Sequence, residues 1–89
     1  MNIFEVNSWI AKVLLSNKLV IGSEAFLDIS HYLSHDEYEM AFEYLLLELM
    51  DHDLVGPLSK DEVISIAVFL GLDKDYHYDE NFWEKLNKS

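Results

Sequence analysis

The run from Ser34 to Asp53 constrains this chain most. It passes without a glycine or a proline. Tyr38, Ala41, Phe42, Leu45 and Leu49 recur in it at spacings of three and four, which gathers them on one face of an α-helix. Ser34 and Glu37 fit a capping box, in which a hydroxyl and a carboxylate satisfy the free amides of a helix start. The pattern predicts a helix from His35 to Met50.

The other side of that helix is unusual. Asp36, Met40, Glu43, Leu47 and Met50 fall opposite the Tyr38/Phe42/Leu45 face, with Glu39 and Tyr44 beside them. Carboxylates alternate there with bulky apolar groups, and no base is present. Glu39 and Glu43 stand four apart, where like charges repel by a few tenths of a kcal/mol. One reading makes this the central helix of a bundle, packed on two sides. The other gives its back face to a basic partner with apolar anchors.

Composition narrows the choice. Eighty-nine residues, 51% hydrophobic and 13% aromatic, suit one domain (1–89) with one core. Seventeen acids face six lysines and no arginine, for a net charge of −11. Between Lys18 and Lys60 stand nine acids and no lysine or arginine. Such a chain is a poor ligand for nucleic acid, which needs its phosphates neutralised, and for anionic membrane. It suits a basic protein, with fast and salt-sensitive association. With no cysteine there is no disulfide framework and no thiolate zinc site. The first residues lack the charge and apolar run of a signal peptide, and no apolar run nears the roughly 18 residues that span a bilayer. A cytoplasmic location is expected.

The remaining elements follow in order. Asn2, with Glu5, caps a first helix that carries Ile3, Val6, Ile10, Val13 and Leu14 inward, Trp9 at its margin, and ends near Asn17. Leu19 to Gly22 reads as a short apolar connection. Ser23 opens a second helix to about Leu33, with Phe26, Leu27, Ser30 and Leu33 inward. After the Gly56-Pro57 turn, Ser59 and Glu62 cap a helix from Lys60 to Leu70, stopped by Gly71. A last helix begins at Asp79 or Glu80 and docks through Phe82, Trp83 and Leu86. The expected fold is all-α, a single small bundle of four main helices plus a short C-terminal helix.

Chemical motifs are few. Asp73, Asp75, His77, Asp79, Asn81 and Glu84 take the ligand positions of a calcium-binding EF-hand loop, but Tyr78 stands where that loop needs glycine. The plainer reading is a solvated acidic loop. His31 and His35 have the spacing of a helical metal pair, which the break expected at Ser34 spoils. No nucleophile elbow, phosphate-cradling glycine loop or cysteine nucleophile is present, so neither catalysis nor a cofactor is expected.

His31-Tyr32-Leu33-Ser34-His35-Asp36-Glu37-Tyr38-Glu39-Met40-Ala41-Phe42-Glu43-Tyr44-Leu45 resembles the signature of small bacterial toxin-immunity proteins, of the Maf type and of contact-dependent growth inhibition. Gly56-Pro57, the Ser59–Leu70 helix and Phe82-Trp83 resemble their later parts. The resemblance implies a protein that binds the C-terminal domain of a cognate toxin, commonly a basic RNase of EndoU-like type, and blocks it as a 1:1 heterodimer. On this reading Asp36, Glu39, Glu43, Asp51, Asp53 and Asp79 pair with lysines and arginines of the toxin, while Met40, Tyr44, Leu47, Tyr76 and Tyr78 serve as anchors. The alternative is an acidic protein-interaction or regulatory module, with calcium held by Asp73–Glu84.

Overall fold

The computed structural model describes residues 1–89. The chain forms six helices and no strand: α1 (Ile3–Ser16), α2 (Lys18–Ile21), α3 (Ser23–Ser34), α4 (Tyr38–Asp51), α5 (Lys60–Phe69) and α6 (Phe82–Lys88). The all-α bundle expected from periodicity is the fold observed. No helix is long and apolar enough to cross a membrane.

Of the boxes expected at Asn2/Glu5 and Ser59/Glu62, the N-cap half forms at each. Asn2 accepts the Glu5 amide at 3.0 Å, and Ser59 accepts the Glu62 amide at 3.4 Å. Gly71 takes a left-handed φ of 78° just past α5, the conformation its lack of a side chain allows. The core then assembles around α4, which packs against α1, α3 and α6. Val6, Ile10 and Leu14 of α1 meet Ala41, Phe42, Leu45, Leu46 and Leu49 of α4, with Phe82 and Leu86 closing one end. The Phe42 ring lies 5.6 Å from Trp9 and edge-on to Phe82 at 6.4 Å. One aromatic side chain thus joins three helices.

Several boundaries differ from expectation. The Leu19–Gly22 connection belongs to a one-turn helix, α2, before Gly22 turns at φ 88°. Gly22, not Ser23, occupies the cap position of α3. That helix buries Ala25 and Ile29, while Leu27 is 65% exposed. The buried pair stands four apart, on one face of the helix. The box at Ser34 and Glu37 does not form. α3 runs through Ser34, whose hydroxyl donates to the His31 carbonyl. Asp36 then reverses the chain at φ 58°, and α4 starts at Tyr38. Since α3 does not break before Ser34, the His31 and His35 rings lie 4.4 Å apart. The last helix, expected from Asp79 or Glu80, starts two or three residues later, at Phe82.

Candidate protein-binding surface

The molecule has a single ion pair, between Lys85 and Asp79. None of the nine acids between Lys18 and Lys60 is in a salt bridge. Eight of them lie at or near the surface, and the ninth, Glu43, is 0% exposed.

Glu43 corrects the sequence reading. It was expected on an outward face, but α4 is packed on two sides and Glu43 points into the second. Its Oε1 accepts the His77 amide at 2.8 Å, and its Oε2 accepts the Tyr78 and Asp79 amides at 2.7 and 2.8 Å. Three consecutive N–H groups form an anion-receiving concavity, and the carboxylate fills it. Burying a charge demands such partners, and no buried side-chain polar atom here lacks one. Glu43 therefore has no free oxygen to offer a partner protein.

The other expected contact residues do not share one face. Asp36 sits in the α3–α4 turn and accepts the Tyr38 hydroxyl at 3.0 Å. Asp51 and Asp53 lie at the far end of α4, roughly 20 Å away along a helix of this length. Glu39 and Met40 are half-buried in the first turn, and Leu47 packs against the core. Asp79 binds Lys85 and the Asn81 amide, which lowers its carboxyl below the ordinary range through the Lys85 hydrogen bond first. Tyr76 lines a separate cleft of about 360 Å³ with Asp73, Asp75, Trp83 and Glu84.

Two expected anchors do meet. Tyr78 is set edge-on to Tyr44, ring centroids 5.5 Å apart, and edge-on to Tyr32 at 6.3 Å. The Tyr44 hydroxyl donates to Asp28 Oδ2 at 3.3 Å. Partial burial, the phenols of Tyr32 and Tyr44, and the Asp28 carboxylate together push the Tyr78 hydroxyl far above its ordinary range. Tyr44 is raised too, by burial first and then by the charges of Asp28, Glu48 and Glu24. Three elements thus build one corner: Glu24, Asp28 and Tyr32 from α3, Tyr44 and Glu48 from α4, and Tyr78 from the 73–81 loop. It is aromatic at its centre and acidic around it, with no cation among the groups that perturb its phenols.

Tyr32, Asp28, Glu24 and Glu48 were missed as site residues. The i, i+4 pairs Asp28–Tyr32 and Tyr44–Glu48 were visible, but pairing them across two helices requires their register. The EF-hand spacing does not become a cation site. Asp75 accepts the Tyr76 amide, Asp79 holds Lys85, and no three His, Asp or Glu side chains gather around one point.

The fold and this corner define the class: a small acidic all-α domain with an aromatic, carboxylate-rimmed surface. No family model, curated protein or solved structure matches the chain.

Proposed function

We propose that the chain is a non-catalytic protein-binding domain that neutralises a basic nuclease, in the manner of a toxin-immunity protein, and that it docks through the Tyr32/Tyr44/Tyr78 corner. The observation that carries the reading is that none of the acids between Lys18 and Lys60 forms an ion pair while three of them, Glu24, Asp28 and Glu48, border packed tyrosines. A folded monomer gains nothing from that repulsion, whereas a nuclease cleft shaped to attract phosphates supplies the missing charge. Tyrosines at the centre of such a patch offer rigid area with a hydrogen-bonding tip, the composition of binding hot spots. The resemblance of the His31–Leu45 stretch to immunity proteins supports the same partner class. The back face of α4 is not itself the docking surface, because Glu43 is buried and Leu47 and Met50 pack against the core.

The test uses the C-terminal domain encoded directly upstream of this reading frame. The expected result is a 1:1 complex by calorimetry and loss of RNA cleavage. Tyr44→Ala should weaken binding by about 2 kcal/mol, the usual size of a hot-spot truncation. Reversing Glu24, Asp28 and Glu48 to lysine should slow association and flatten its salt dependence. Undiminished affinity in Tyr44→Ala, or on-rates that ignore the three reversals, would take the corner out of the interface. An upstream frame encoding a metabolic enzyme would count against immunity itself.

A further inference from the structure

The 73–81 loop joins α5 to α6 and is pinned at its borders by the buried side chains of Leu72 and Phe82. Between them its hydrogen bonds are almost all local. Lys74 and Asp75 donate to the Gly71 carbonyl, Tyr76 to Asp75, and Asn81 to Asp79, while Asp79 binds Lys85 of α6. The exceptions are the three amides held by Glu43. One side chain therefore accepts every hydrogen bond that the main chain of this loop donates to the helices before it.

The middle amide of those three belongs to Tyr78, whose ring completes the tyrosine corner. Tyr44, the ring it meets, is the residue next to Glu43 on α4. The carboxylate and the aromatic contact thus fix the same short segment from inside and outside at once.

Resting on the corner as the docking surface, we propose that Glu43 is its positioning residue. The buried carboxylate fixes the 77–79 backbone, and this sets the Tyr78 ring against Tyr32 and Tyr44 before any partner arrives. A preformed corner binds without the cost of ordering a loop. With the clamp broken, the 77–79 backbone keeps no bond to α4, only the Tyr78 ring still ties it to α3 and α4, and the loop becomes the most readily opened part of the domain.

The experiment starts with the unmodified protein alone. Amides of His77, Tyr78 and Asp79 lie in a loop whose residues are mostly exposed, yet they should exchange with solvent at least about tenfold more slowly than those of Asp73 and Glu80, which have no acceptor. Equal exchange rates would overturn the proposal without any variant. Glu43→Gln keeps the shape but must turn a donor toward one of the amides. It should keep the helical far-ultraviolet signal, lose protection at residues 77–79 and lose the near-ultraviolet signature of the packed tyrosines. Retained ring contacts in Glu43→Gln would also overturn it. With the toxin domain as probe, Glu43→Gln should weaken binding, and combining it with Tyr78→Ala should add little to Tyr78→Ala alone. Additive losses would show that Glu43 does not act through Tyr78. If the loop behaves as stated while Tyr44→Ala binds normally, the clamp stands and the docking reading fails.

Discussion

A single carboxylate decides which face of α4 is interior. Glu43 stands among residues that a helical wheel places outward, and charged side chains are rarely buried, so its outward assignment was the reasonable one. Its partners are backbone amides 34 to 36 positions later. Backbone groups carry no residue code, so no side-chain pattern announced them. Met50 and Leu47, on the same side and half-buried against the core, were the visible hint that the face was covered. Replacing Glu43 by alanine should leave three amides without an acceptor. At about 1–3 kcal/mol for each unpaired buried group, less whatever water recovers, the loss should be about 3 kcal/mol. That is a large share of the stability of a domain this size, about 5–15 kcal/mol. Denaturant melts should show the midpoint falling, and an unchanged midpoint would mean that the amides find water at no cost.

Among the elements, legibility followed distance along the chain. The Asn2 and Ser59 caps involve a side chain and an amide three residues apart, and both are present, though the glutamate half of each box is not, the Glu62 carboxylate accepting from Trp9 instead. Ser59→Ala should therefore cost about 0.5–1 kcal/mol, the low end for a cap because its hydrogen bond is long. Thermal unfolding of that variant, with helical content retained, is the check. The Ser34 box had an equally good local sequence but lost to the neighbouring helix. Ser34 bonds backward to His31 and ends α3, and the turn is left to Asp36 in a left-handed conformation that aspartate tolerates better than most residues. α5 shows the same limit in reverse. Its sequence is apolar nearly all round, yet Val68 and Phe69 are 49% and 45% exposed. Period alone told that a helix was there, not which side would find a neighbour.

At the level of the whole molecule, charge and titration set the operating window. A net charge of −11 with one ion pair means the folded state repels itself. Sodium chloride should raise the melting temperature by screening, and a flat response between low and moderate salt would show that the acids are too dispersed to matter. Alkali acts through other groups. Tyr78 and Tyr44 are raised above the ordinary tyrosine value of 10.0, and Lys85 above 10.5, by its bond to Asp79 first. Each holds its proton more tightly when folded, so the stability it contributes is complete below its unfolded value and drains away as pH climbs past it. Unfolding should set in above about pH 10, and Tyr78→Phe should move that limb upward. On the acid side Asp79, held low, contributes stability that is lost as pH falls through its folded value. The all-α class and the surplus of acid were readable from composition and period. The corner was only partly readable, since Tyr44 and Tyr78 were picked out and Tyr32 and Asp28 were not.

Glu43 grips main chain and ignores what hangs from it. His77, Tyr78 and Asp79 could exchange their side groups freely, proline excepted, and the grip would still close on the same three hydrogens. The outer surface of this loop is therefore free to vary one letter at a time, while the interior beneath it keeps its shape.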